Sequence, residues 1–250
     1  MLAYHNDPAI KQMFIDRIAA HAAADEIVKG YYWEDGKGCA IGCTYHSSDH
    51  LAAEREAGIP LMLARLEDTI FEGLPNAEAM TWPLRFAEAI QVGADLSMVA
   101  PRFLLWLLRD SGIPGHDHPD VAPAFRECVD VMQSWCDLGI PDGSAAYRAR
   151  EAIRDHAHEN SAVVMEPAGG AARAAEHAMY VAIDTYLQRP SRAIDSAVWS
   201  ILGADNAVSA HAQSAHEIAN ITNRSRALLE FYMTAAIKLL ELMEMAPIAD

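Results

Sequence analysis

Between Asp205 and the C-terminus, small and apolar side chains return every seven residues, at Val208, Ala215, Thr222, Leu229, Ala236 and Met243. Ala212, Ala219, Met233 and Leu240 supply a second set between them. A recurrence of this kind places one stripe along a helix and presses it against a neighbouring helix. The last element is therefore expected to be long, capped by Asp205, with Ile221-Thr222-Asn223 as the place where it would break in two. Small residues dominate the first half of the pattern and large ones the second. Neighbouring helices should approach closely at one end and lie across a thicker core at the other.

The rest of the chain carries the same 3.6-residue signature. Ile10, Met13, Phe14, Ile18 and Ala22 define a first amphipathic helix from Pro8, closed by Gly30. Ser47 or Ser48 is placed to cap a helix running to Glu56, and Gly58 and Pro60 stop it. Leu63, Leu66 and Ile70 form the apolar stripe of the next helix, which Gly73 and Pro75 end; Thr81 caps another, with Trp82, Phe86 and Ile90 facing inward. Phe103 to Leu108 is apolar all round and predicts a helix covered on most sides, in the middle of the N-terminal half.

The breakers between Ser111 and Pro123 suggest a boundary, dividing the chain into an N-terminal helical region, 1–112, and an alanine-rich region, 119–250. In the second region Phe125, Cys128, Val129, Met132, Trp135 and Cys136 share one stripe. Helices follow from Ser144 to about His158, from Ala171 to Leu187, and from Pro190-Ser191 to Gly203. The fold class expected is all-α, a multi-helix array or bundle of roughly ten helices with long antiparallel C-terminal helices.

Thirty-five Asp and Glu against 19 Lys and Arg give a formal charge of −16. Such a surface repels phosphate backbones and anionic membranes, which argues against direct nucleic-acid binding, and it favours a basic protein partner. Simple solubility accounts for the same charge. The longest apolar run, Phe103 to Leu108, is far short of the ~20 residues that span a bilayer. The N-terminal residues do not read as a secretory leader, and the uneven cysteine spacing does not suggest a disulfide framework, so a reducing cytoplasm is the expected compartment.

Reactive side chains concentrate between Gly36 and His50. On an unbroken helix Cys39, Cys43, His46 and His50 would share one face but extend roughly 16 Å along it, too far for the 2.0–2.3 Å bonds of one zinc ion. A zinc site on these four residues requires the chain to turn back near Gly42. Alternatively, Cys39 or Cys43 is a nucleophile whose thiol is acidified by Lys37 and activated by His46 or His50. A structural reading has the small residues forming a tight loop under Tyr31-Tyr32-Trp33. His116-Asp117-His118 and His156-Ala157-His158-Glu159 are weaker metal candidates. His177, His211 and His216 fit interhelical packing, and Glu67 and Asp68 point to different sides of a helix. No phosphate loop, dinucleotide fingerprint or serine elbow occurs.

The words Asp35-Gly36-Lys37-Gly38-Cys39-Ala40-Ile41-Gly42-Cys43-Thr44, Ser48-Asp49-His50 and Leu63 to Pro75 resemble a group of uncharacterised bacterial helical proteins with no activity to transfer. Arg189-Pro190-Ser191-Arg192-Ala193-Ile194-Asp195-Ser196-Ala197 and Ala210-His211-Ala212 are similar to helices of bacterial toxin-immunity proteins. That second likeness implies an immunity- or inhibitor-like role. The leading expectation is a non-enzymatic cytoplasmic protein that binds a basic protein, and the rival is a zinc- or thiol-dependent enzyme centred on Cys39, Cys43, His46 and His50.

Overall fold

The computed structural model describes residues 1–31, 33–157, 167–213 and 220–249. Helices dominate it, and the all-α expectation is met; the only sheet among the described residues is one two-stranded hairpin. The chain forms two compact units, Met1–Ala100 with Ala236–Asp250, and Pro101–Ala235.

In the first unit, a short 3-10 turn at Ala3–Asn6 leads into α1 (Pro8–Ala23). Asp7 accepts the Ala9 N–H at 2.8 Å, and Pro8 loses nothing where no helical partner exists. Phe14 and Ile18 are the buried face of α1. The helix ends at Ala23, before the expected stop at Gly30. Strands β1 (Trp33–Glu34) and β2 (Lys37–Gly38) pair antiparallel. Asp35 and Gly36 join them with positive φ at both positions, the primed turn whose twist matches a hairpin.

Helices α2 (Ala40–Tyr45), α3 (Leu51–Ala57), α4 (Leu61–Gly73), α5 (Asn76–Ala79) and α6 (Trp82–Ala89) complete the body of this unit. The expected α4 stripe Leu63, Leu66 and Ile70 is buried, as are Trp82 and Phe86. Asp49, rather than Ser47 or Ser48, accepts the first free N–H of α3, from Leu51 at 2.9 Å. The C-terminal strap is tied in by Asp95 N–H to the Pro247 carbonyl and Ala249 N–H to the Gly93 carbonyl.

The second unit takes in most of α7 (Val99–Arg109), then α8 (Ala122–Leu138), α9 (Gly143–Ala157), α10 (Pro167–Tyr186), α11 (Pro190–Gln213) and the first part of α12 (Asn220–Glu244). α10 packs against α8, α9 and α11 and is buried along most of its length, from Ala168 to Asp184. A helix covered on so many sides needs small side chains. A Cβ at Gly170 would stand 2.4 Å from the Ala207 nitrogen, and one at Gly203 would stand 2.5 Å from the Ala174 nitrogen.

Several expectations change here. α11 runs straight through Gly203, because that glycine gives α10 room to approach and does not terminate the helix. Asp205 is accordingly inside α11, where it accepts from the Tyr232 hydroxyl at 2.8 Å and the Ser209 hydroxyl at 3.2 Å. The described helices stop at Gln213 and resume at Asn220, and the backbone at Ile221–Asn223 is helical. Ala236 and Met243 are buried as the heptad requires, but Leu229 is 44% exposed. Ala215, Ala219 and His216 lie outside the described residues.

Phe103, Leu104, Leu105, Leu107 and Leu108 are buried as expected, yet all belong to the second unit and Trp106 is half-buried. The Ser111–Pro123 breakers also lie inside that unit. Gly115 is pressed against the Ala168 nitrogen at the start of α10, where a Cβ would come within 2.3 Å. The two units therefore differ from the 1–112 and 119–250 division. Among the described residues, no helix is long and apolar enough to cross a membrane.

Candidate functional site

The segment from Gly36 to His50 is a hairpin arm, a short helix and a turn. Gly42 does not reverse the chain: it is buried within α2, and the Cys43 N–H reaches the Cys39 carbonyl at 3.0 Å. Reversal comes four residues later at His46, which takes a left-handed conformation with φ 51°. The four candidate metal ligands consequently part in three directions, with only Cys39 and His50 facing a common residue. No three His, Cys, Asp or Glu side chains among the described residues are grouped to hold a metal ion.

Cys39 and His50 both meet Asp68 of α4. The His50 Nε2 lies 3.3 Å from Asp68 Oδ2, and the His50 side chain is 6% exposed. Burial, with the charge of Asp68 added, pushes the Cys39 thiol far above its ordinary range. Its backbone N–H donates to the Tyr31 carbonyl at 2.6 Å, fixing the loop beside the hairpin. Gly30, Tyr31, Cys39, Asp68 and Glu72 line a recess of about 170 Å³. On one wall Glu72 Oε1 accepts the Gly30 N–H at 3.0 Å. The Lys29 ammonium donates to the Glu72 and Leu74 carbonyls.

Cys43 faces elsewhere. Its thiol donates to the Gly38 carbonyl at 3.4 Å and the Glu26 carbonyl at 3.5 Å, and burial pushes its pKa up to about 11. A thiol held protonated at neutral pH is a poor nucleophile, and no acidifying contact from Lys37 offsets the burial.

His46 joins a different cluster. Its Nε2 is 2.8 Å from the Nε2 of His21 on α1, and the Trp33 ring stacks on it at 4.8 Å between centroids and 15° between planes. The His21 Nδ1 reaches Glu26 Oε2 at 2.7 Å. Desolvation lowers the His46 pKa, and Arg17 and His21 lower it further. Sequence spacing does not connect His21 or Asp68 to this loop. The Asp35-Gly36 pair is the one local signal, a hairpin turn that carries Trp33 back over α1.

Glu67 and Asp68 do diverge. Asp68 faces the recess, whereas Glu67 is 2% exposed in the core beside a void of about 10 Å³ lined by Tyr4, Phe14, Thr44 and Tyr45 among others, room for one water. Burial raises the Glu67 pKa well above the carboxylate range, and Asp68 and Glu72 add to the shift.

Of the remaining histidine candidates, His116 and His118 line, with Asp117 and His211, an open recess of about 440 Å³ in the second unit. His116 Nδ1 donates to the Ile113 carbonyl at 2.6 Å, and His177 stacks on Trp199 at 6.0 Å. His158 and Glu159 lie outside the described residues.

The second unit carries a surface of another kind. Glu127, Asp130 and Asp137 are exposed along one side of α8, whose only basic residue is Arg126. Where α8 ends, Leu138 is 71% and Ile140 70% exposed. The next helix begins against α10, since a Cβ on Gly143 would lie 2.4 Å from the Tyr186 ring. Tyr147, Tyr186 and Leu187 are exposed around that contact.

No protein-family model, curated protein or solved structure matches this chain. The likeness to uncharacterised bacterial proteins and to immunity proteins rests on the sequence words alone.

Proposed function

We propose that this protein works by binding a basic protein partner, as an inhibitor or immunity protein does. The observation that carries the reading is the acidic side of α8, Glu127, Asp130 and Asp137, running into exposed Leu138 and Ile140, with Tyr147, Tyr186 and Leu187 also exposed where Gly143 meets Tyr186. Exposed apolar side chains beside a run of carboxylates suit a basic amphipathic segment, with the apolar residues as anchor and the carboxylates steering approach past Arg126 on the same helix and Arg109 near Asp137. The formal charge of −16 extends that attraction beyond the contact itself.

The test compares capture from native extract by wild-type protein and by the triple variant Glu127→Lys, Asp130→Lys, Asp137→Lys. A polypeptide of net positive charge should be retained at low salt, and should be lost both in the triple variant and as ionic strength rises. Equal retention by the triple variant, or retention of acidic polypeptides only, refutes the reading. A Leu138→Asp, Ile140→Asp variant separates anchor from steering: it should weaken binding at every salt concentration.

A second reading, a zinc- or thiol-dependent enzyme centred on the Cys39 to His50 loop, is favoured by the recess that Cys39, Asp68 and Glu72 share, with His50 held on Asp68. Labelling with iodoacetamide decides the thiol version. Rapid modification of Cys39 at neutral pH supports it, and protection until the protein unfolds removes it. Metal content of untagged protein, compared with that of Cys39→Ser and Cys43→Ser, decides the zinc version.

A further inference from the structure

The Glu26 Oε2 lies 2.7 Å from the His21 Nδ1, and with the carboxylate oxygen accepting, the proton of this hydrogen bond is on the His21 Nδ1. In the neutral ring this leaves a lone pair on the His21 Nε2, aimed at the His46 Nε2 2.8 Å away. Two imidazole nitrogens that face each other at that distance share one proton. A carboxylate behind the first imidazole is the arrangement that orients metal-binding histidines and raises their basicity. His46 is exposed whereas the His21 side chain is 12% exposed, so an ion would approach from the His46 side.

We propose that His21 and His46 form a two-histidine site for a divalent metal of the zinc, copper or nickel class, oriented by Glu26 and walled by Trp33. Metal–nitrogen bonds of 2.0–2.1 Å at a tetrahedral angle need about 3.3 Å between the nitrogens, so the rings must part by about half an ångström and each turn by about 35° from their nearly head-on arrangement to point at one ion. His46 sits on an exposed left-handed turn after a short helix, where a small rotation displaces little. The metal takes the place of the shared proton, which leaves Nε2 for solvent or for the Nδ1 of His46. Water fills the remaining positions. Arg17 is near enough to His46 to oppose a cation, and Glu56 to favour one. Imidazole ligands suit this metal class better than calcium or magnesium. The site is separate from the loop set expected from sequence, because it takes His46 alone from that set and pairs it with α1.

Untagged protein titrated calorimetrically with Zn²⁺, and separately with Ni²⁺, should bind one equivalent. His21→Ala and His46→Ala should each abolish that saturable equivalent, and Glu26→Gln should weaken it about ten-fold without changing stoichiometry. Cys39→Ser and the distant His118→Ala should bind as the wild type does. Metal-free melting curves identify any variant that fails to fold, and a metal-induced rise in Tm in wild type but not in His46→Ala reads the same site independently. Absence of a saturable equivalent in the wild type overturns the proposal. So does its persistence in folded His21→Ala or His46→Ala, or its loss in Cys39→Ser.

Discussion

Replacing Gly203 by Ala tests the close approach of α10 and α11. In a helix whose glycine faces solvent, the substitution is stabilising, by about 0.8–1.0 kcal/mol. In this structure the new Cβ would lie 2.5 Å from the Ala174 nitrogen, 2.9 Å from its Cα and 3.1 Å from the Arg173 carbonyl carbon. All three atoms are backbone, so no side-chain rotation relieves the clash. The shortest contact is about 0.9 Å below the 3.4 Å at which ordinary contact begins, and the two helices must separate locally by that amount. Overpacking of this kind costs about 1–3 kcal/mol, and a backbone-to-backbone clash belongs at the upper end. After the propensity gain, a net loss of about 2 kcal/mol remains, or roughly 6 °C in Tm for a unit of this size. Urea and thermal unfolding of the full chain measure it, with Asn206→Ala on the exposed side of α11 as a control expected to be neutral or slightly stabilising. Gly170→Ala, 2.4 Å from the Ala207 nitrogen, should behave like Gly203→Ala. A rise in stability for either glycine variant would mean that the helices do not meet as described, and the packing argument would fail.

Three further outcomes follow from the first unit. Burial raises the Glu67 pKa well above 4.5, so the folded state keeps its proton at pH values where the unfolded chain has released it; stability from this group is complete below about 4.5 and falls as pH rises above it. Glu67→Gln should therefore raise Tm at pH 7 relative to wild type, with the difference shrinking toward pH 4; an equal or lower Tm at pH 7 contradicts the buried neutral acid. For Cys43 the same sign applies at higher pH, since its pKa rises from 9.0 to about 11: Cys43→Ala should reduce the loss of stability between those values, measured by denaturant midpoint against pH. Gly36→Ala puts a Cβ at φ 82° with nothing within 4 Å, so it should cost about 1 kcal/mol through backbone strain alone. It should also loosen Trp33 from His46, seen as a shift in tryptophan emission.

The helical architecture was legible because its signal is local. Apolar spacing at 3.6 residues placed α4, α6 and α8 with their buried faces and α1 only in part, since Phe14 and Ile18 are buried but Met13 and Ala22 of the same stripe are exposed, and the stop signals at Gly58 and Gly73 fell where helices end. The small residues from Val208 onward predict close packing for the last element, whereas the close approach is found earlier, between α10 and α11 at Gly170 and Gly203, the latter a glycine whose position in the sequence suggests a terminus. A glycine that ends a helix and one that admits a neighbour look alike until the neighbour is known.

The candidate site was only half legible. Composition and spacing marked Cys39, Cys43, His46 and His50 as the reactive segment, and no local rule could say where each would point. Their directions depend on α1 and α4, which bring His21 to His46 and Asp68 to Cys39 and His50 from 25, 29 and 18 residues away along the chain. The amino-acid sequence by itself determined the periodicity, the turns and the charge, because those act between residues a few positions apart. Only the tertiary structure decided which side chains share a proton, which thiols lose their water, and which glycines touch another helix, since each of these depends on what distant segments deliver to the same point.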